Sequence, residues 1–158
     1  MKVLLRDATP YDLPLILAWR SIPDIYKWFF IQARENRVLT WKEHYAYWEA
    51  AKEQHLFIIG VENDWVRDVG FVNLSDLDSQ KPKVSIAIGE VSLWGKGVGH
   101  KALKLGIEWL KRQRKEYVHT SILKKNDRSI KLFESCGFKR IGEARGGEWE
   151  YELRMEER

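Results

Sequence analysis

The stretch Val84-Ser-Ile-Ala-Ile-Gly-Glu-Val-Ser-Leu-Trp-Gly-Lys-Gly-Val-Gly-His-Lys-Ala-Leu103 constrains the fold of this chain more than any other. A β-branched run from Val84 to Ile88 stops at Gly89. Three alternating glycines, Gly95, Gly97 and Gly99, lead into an amphipathic segment carrying Ala102, Leu103, Leu105, Ile107, Trp109 and Leu110. Strand, glycine turn and helix in that order make a phosphate cradle, because glycines let backbone N–H groups converge and a helix N-terminus adds partial positive charge. Spacing excludes two common versions. A dinucleotide fingerprint needs G-x-G-x-x-G with an acid about 20 residues on, whereas the third glycine comes early and position 119 is His119. A Walker A loop needs Gly-Lys-Ser/Thr, and here Gly95-Lys96 is followed by Gly97.

A second motif follows downstream, Asn126-Asp-Arg-Ser129-Ile-Lys-Leu-Phe133-Glu-Ser-Cys-Gly137-Phe138. Asn126 is a good N-cap and Gly137 a good stop, so the spacing predicts a short helix entering a strand at Phe138.

The chain has 158 residues, 44% of them hydrophobic, enough for one domain (1–158) with a sizeable core. Cys136 stands alone, which rules out an internal disulfide, fits a reducing compartment, and reads as a small buried hydrophobe. No apolar run approaches spanning length, so a cytoplasmic protein with no membrane partner is expected. The net charge of +4 is small and scattered, which argues against a nucleic-acid partner.

Periodicity predicts a strand over Val3–Arg6 and a capping box at Thr9–Asp12 opening a helix to about Arg20. A second, shorter helical piece is expected over Asp24–Phe30, and a capping box at Thr40–Glu43 opens a helix to about Glu53. Leu56–Val61, Val66–Leu74 and Val84–Ile88 read as an antiparallel meander. A helix over Gly99–Arg114, a strand over Val118–Leu123, the Asn126 helix, and strands over Phe138–Ile141 and Trp149–Met155 complete the chain. In the last strand Trp149, Tyr151, Leu153 and Met155 alternate with charged residues, giving one buried face.

The hexapeptide Trp94-Gly-Lys-Gly-Val-Gly99 resembles the Q/R-x-x-G-x-G/A pyrophosphate loop of the GNAT acyl-CoA N-acyltransferases. Trp94 stands in place of the usual Gln or Arg, as in the branch resembling ribosomal-protein alanine acetyltransferases. The second motif is similar to the family pattern N-x-x-S/A-x-x-x-Y-x-x-x-G-F, with Phe133 in place of Tyr. The resemblance implies an α+β fold, a mixed and mostly antiparallel sheet splayed between its fourth and fifth strands with flanking helices. It implies acetyl-CoA as co-substrate, its pantetheine paired along Ile86–Glu90 and its pyrophosphate on the amides of Gly95–Gly99 and His100. The implied cofactor-binding set is Ile88, Gly89, Glu90, Trp94, Gly95, Lys96, Gly97, Val98, Gly99, His100, Lys101, Asn126, Ser129 and Phe133. Lys124, Lys125 and Arg128 also lie near enough to meet phosphates. No metal site is expected.

Acetyl transfer to an amine needs a base, a donor for the oxyanion and a proton or solvation for the thiolate. Glu90, directly after the fourth strand, is the expected base. Phe133 lacks the hydroxyl of the family's usual acid and is expected to keep only the packing, leaving water, Ser129, Tyr117 or Tyr151 as proton sources. Trp19-Arg20-Ser-Ile-Pro23 through Lys27-Trp28, with Glu43-His44, also resembles N-acetyltransferases acting on nucleotide-linked amino sugars, as in pseudaminic-acid synthesis. Arg20, Trp28 and Trp41 are therefore expected at the acceptor, Arg20 on a diphosphate and a tryptophan stacked on base or sugar. A nucleotide amino sugar is the leading acceptor. A protein N-terminal or other small amine is an alternative, and a catalytically silent acyl-CoA-binding module is another. A homodimer is left open.

Overall fold

The computed structural model describes residues 1–50 and 53–155. Strand β1 (Lys2–Asp7) is followed by helical segments α1 (Leu13–Arg20), α2 (Pro23–Tyr26), α3 (Phe30–Glu35) and α4 (Trp41–Ala50). Next come β2 (His55–Glu62), β3 (Val66–Ser75), β4 (Lys83–Ile88) and α5 (Val98–Arg112). Strand β5 (Tyr117–Leu123), helix α6 (Asp127–Ser135) and strands β6 (Lys139–Glu143) and β7 (Glu148–Arg154) end the described chain. Among the described residues the strands form one seven-stranded sheet in the order β1-β2-β3-β4-β5-β7-β6. Every neighbouring pair is antiparallel except β4 with β5. This is the mixed, mostly antiparallel α+β architecture expected from the sequence.

The sheet opens at its parallel pair. Strands β4 and β5 meet through a single bridge, Lys83 with His119. Beyond it each strand keeps only its outer neighbour. Strand β4 pairs with β3 from Ser75↔Lys83 to Gly70↔Ile88, and β5 pairs with β7 from Tyr117↔Arg154 to Leu123↔Glu148. Gly89 N donates to Val69 O at 2.6 Å, so the alternation of an antiparallel ladder turns the backbone groups of Ile86 and Ile88 toward the open edge.

Two apolar layers hold the sheet. Helix α5 buries Val98, Ala102, Leu103, Ile107 and Leu110 against Val72, Leu74 and Val84 on one face. Helix α1 buries Leu13, Ile16 and Trp19 against Ile58 and Phe71 on the other. Each of the Val, Leu, Ile and Phe side chains among them contributes about 1.5–3 kcal/mol when fully buried. Trp19 stacks on Phe71 with ring centroids 6.5 Å apart. Its indole also lies against Gly89, where an added Cβ would come within 2.2 Å of the ring.

The capping boxes form as expected. Thr9 N donates to Asp12 Oδ2 at 2.8 Å, while Thr40 N donates to Glu43 Oε1 at 3.0 Å and Glu43 N to Thr40 Oγ1 at 3.2 Å. The single helical piece expected over Asp24–Phe30 is instead two. Helix α2 stops at Tyr26, and an extended Phe29 (φ −87°, ψ 130°) opens α3. Helix α3 ends at Asn36 in the left-handed region (φ 50°). It is tied to α1 by the buried Gln32, whose Nε2 donates to Arg20 O at 2.8 Å. Helix α4 is described as far as Ala50; residues 51–52 of the expected helix lie outside the described residues, and Glu53 takes a left-handed φ of 52°. No helix among the described residues is long and apolar enough to cross a membrane.

Candidate active site

A cavity of about 800 Å³ fills the splay between β4 and β5. One arm is lined by the glycine loop, the start of α5 and α6. The other is lined by α1, α2 and α4 together with the β5 and β7 ends. The open edge of β4, Ser85 to Ile88, also lines it.

Gly95 (φ 76°) and Gly97 (φ 83°) take left-handed backbone that side chains disfavour, and a Cβ on either would meet nothing within 4 Å. Conformation, not crowding, requires glycine there. Gly97 is the N-cap of α5, and the helical ladder begins with Lys101 N donating to Gly97 O at 3.1 Å. The amides of Val98, Gly99 and His100 therefore precede the ladder and project from the helix end, an anion-receiving arrangement. Gly99 serves packing instead, since a Cβ would press Leu132 at 3.2 Å.

Trp94 does not reach outward as a Gln or Arg would. Its Nε1 donates to Ile88 O at 2.9 Å, bracing the loop against the end of β4. The Arg128 guanidinium lies 3.4 Å from the centroid of the Trp94 ring and 6.0 Å from that of Trp28, so it links the glycine loop to the turn after α2. Burial holds Arg128 below its ordinary pKa, with the charge of Asp24 opposing. Asn126 caps α6, its Oδ1 accepting from Ser129 N at 3.3 Å and its Nδ2 donating to Ser129 Oγ at 3.0 Å. Phe133 is buried edge-on to Phe138, centroids 5.0 Å apart.

Of the expected cofactor residues, Ile88, Trp94, Gly95, Gly97, Gly99, His100, Asn126, Ser129 and Phe133 line the cavity. Five do not. Gly89 is covered by Trp19. Val98 presents only its backbone, its side chain being core. Lys96 projects outside the lining. Lys101, on the far side of α5, lines a separate cavity with Val3, Cys136 and Met155. Glu90 is turned away and gripped by Arg67, whose Nε and Nη2 donate to its two oxygens at 2.8 and 2.9 Å. That geometry makes Glu90 an anchor for the turn after β4. Lys124 is drawn to Glu143 at 2.7 Å and stacks over Trp149. Tyr151, fully buried, spends its hydroxyl on Glu134 and Arg140, and neither it nor Tyr117 borders the cavity, which leaves Ser129 among the named hydroxyls. Burial raises the Cys136 thiol above its ordinary pKa, which suits packing rather than nucleophilic attack.

Arg20 and Trp28 line the second arm, as expected, but Trp41 does not. Trp41 sits at the exposed start of α4, 47% accessible, against His44 and Tyr45. Tyr47 and Trp48, near the other end of that helix, take its place. Arg20 stacks on Phe29 at 4.5 Å, its Nε is buried without a hydrogen-bond partner, and burial lowers its pKa. Trp28 Nε1 and Trp48 Nε1 are likewise buried without partners. Sequence reading missed Ser85, Ser121 and Glu148 in the wall. Glu148 precedes the strand expected over Trp149–Met155, yet it opens β7, is 4% exposed and pairs with Arg145 at 2.7 Å. Among the described residues no cluster of three or more His, Cys, Asp or Glu could hold a metal.

A model of the acetyltransferase (GNAT) domain family matches residues 2–139. Over 155 residues the chain is 44% identical to an uncharacterized protein of Methanocaldococcus jannaschii, covering 98% of this chain and 31% of that protein. The chain thus spans about a third of the length of that curated relative. The crystal structure of a domain from Methanocaldococcus jannaschii superposes with a TM-score of 0.92 at 44% identity, covering 98% of this chain and 99% of that one. An aminoglycoside acetyltransferase crystallised with coenzyme A has the same fold at a TM-score of 0.80 and 18% identity, covering 97% and 95%. Family match, splayed sheet and glycine loop agree, and the chain belongs to the acetyltransferase (GNAT) family.

Proposed function

We propose that the chain transfers the acetyl group of acetyl-CoA to the amine of an anionic small molecule, with a nucleotide-linked amino sugar as the leading acceptor. One observation carries this reading: a single cavity, edged by an open strand, is lined both by an anion-receiving helix end and by Arg20, which burial perturbs and whose Nε has no hydrogen-bond partner among the described residues. The projecting amides of α5 and the positive-φ glycines suit the diphosphate of the cofactor, with Arg128 beside them. The backbone groups of Ile86 and the N–H of Ile88, whose carbonyl is taken by Trp94, suit the amides of a pantetheine arm, and an open N–H there suits the oxyanion of the transfer. Coenzyme A in the aminoglycoside acetyltransferase of the same fold supports this choice of acyl donor.

The second arm favours an acceptor that brings negative charge. A guanidinium largely withdrawn from water is costly unless an anion meets it, and Arg20 has no carboxylate partner among the described residues. Trp28 and Trp48 add flat aromatic faces suited to a base or a sugar ring. A polycation would set its own charge against Arg20. Thiol release from acetyl-CoA, measured across amino-sugar nucleotides, spermidine, kanamycin and N-terminal peptides, tests the reading. The highest kcat/KM is expected with an amino-sugar nucleotide, and Arg20→Gln should raise KM for it at least tenfold while sparing acetyl-CoA affinity. Fastest turnover of a polyamine, aminoglycoside or peptide overturns the acceptor. No thiol release with any amine favours a silent acyl-CoA-binding module.

A further inference from the structure

We propose that Ser121 takes the proton of the acceptor amine and passes it to Glu150, which His119 holds in position. The proposal rests on the acetyltransferase reading above. Ser121 borders the cavity, and its Oγ donates to Glu150 Oε2 at 2.9 Å. Glu150 Oε1 accepts from His119 Nδ1 at 2.5 Å. The β5–β7 register sets Ser121 directly opposite Glu150, so the chain of bonds crosses one strand pair. The single bridge at Lys83 and His119 puts Ser121 level with Ser85 on the far side of the gap. Ser121 is thus on the wall that faces the open edge of β4.

Among the carboxylates, elimination leads to the same group. Glu90 is outside the cavity with both oxygens on Arg67. Glu43 borders it, yet Arg37 takes both its oxygens and holds its pKa down to about 2, too low for a base near neutrality. Glu148 is bonded to Arg145. The Glu150 carboxylate is engaged by a serine hydroxyl and an imidazole, and reaches the cavity through the former. The charged groups around this relay are Lys83 on β4, Glu152 paired with Lys81, and Glu148 paired with Arg145.

In the step, the amine nitrogen bonds to the thioester carbon and the carbon–sulfur bond breaks, releasing a thiolate. The surplus ammonium proton passes to Ser121 Oγ as the hydroxyl proton of Ser121 moves to Glu150 Oε2. Glu150 then returns its proton to water, and the thiolate is protonated from solvent. Ser121 is the catalytic residue; Glu150 and His119 act through it.

The test compares wild type, Ser121→Ala, Ser121→Thr, Glu150→Gln and His119→Gln for kcat against pH, with acetyl-CoA affinity measured by calorimetry. A positioned acid–base group contributes about 10²–10⁴-fold. Ser121→Ala and Glu150→Gln should therefore each lose at least about a hundredfold in kcat and the acidic limb of the profile. Ser121→Thr should recover most of the rate, His119→Gln should lose less than either, and acetyl-CoA affinity should stay within threefold. A Ser121→Ala rate within threefold of wild type, or an acidic limb intact in Glu150→Gln, overturns the relay while leaving the acetyltransferase reading in place. A wild-type protein that releases no thiol with any amine overturns both.

Discussion

Arg67 holds both carboxylate oxygens of Glu90, fastening β3 to the turn that follows β4. The pair is partly exposed and stands apart from the cavity. Glu90→Gln is therefore expected to leave kcat within about threefold of wild type and to cost about 0.2–1 kcal/mol, the range of an exposed ion pair. Initial rates and a urea titration check both numbers. A hundredfold loss of kcat would return Glu90 to the chemistry.

Gly97 carries the N-terminus of α5 at φ 83°. Alanine there costs about 1–2 kcal/mol in left-handed strain and is relieved by turning the loop. Because the projecting amides are set by that loop, Gly97→Ala should weaken acetyl-CoA binding at least tenfold with an unchanged circular dichroism spectrum. Calorimetry giving wild-type affinity would detach the glycine loop from the cofactor.

Phe133 borders the cavity with no hydroxyl and packs edge-on to Phe138. A thiolate with a pKa of roughly 8.5 leaves without much help from an acid. Phe133→Tyr should bind acetyl-CoA normally and change kcat by no more than about tenfold, or about 1.4 kcal/mol. A far larger gain would mean that the chain is an enzyme disabled by losing its acid.

His44 is fully buried, with Nε2–H donating to Leu13 O at 2.9 Å and Nδ1 without a partner. Burial is the main cause of its lowered pKa; the Arg20 charge adds to it, and the Leu13 carbonyl opposes. The folded value therefore lies below the unfolded one of about 6.5. As the pH falls through that value the unfolded chain takes up more protons, and stability declines; above about 7.5 the contribution is constant. His44→Gln, which keeps a donor for Leu13 O, should flatten the fall in Tm between pH 7.5 and 5.5. Glu43, held down to about 2, titrates below this window. An identical slope in His44→Gln would assign the decline to other groups.

What the sequence determined by itself was local. The glycine loop, the Asn126 cap and both capping boxes are demands on a few consecutive residues, a left-handed φ or an orphan N–H, and residue type states them directly. Helix α3 escaped because its left-handed end is an asparagine, with no glycine to mark it. Trp41 and Trp48 fall on one helical stripe, so periodicity treats them alike, but about 10 Å of helix axis separates them and only Trp48 reaches the cavity. Glu90 follows the open edge in sequence, yet its direction is set by Arg67 from another strand. Ser121, Glu150 and His119 meet only through the β5–β7 register, and Gly89 is closed off by a tryptophan from α1. Local rules choose backbone shape within a few residues; which side chains face the cavity was decided by long-range pairing and packing, where the partner lies tens of residues away and leaves no mark nearby.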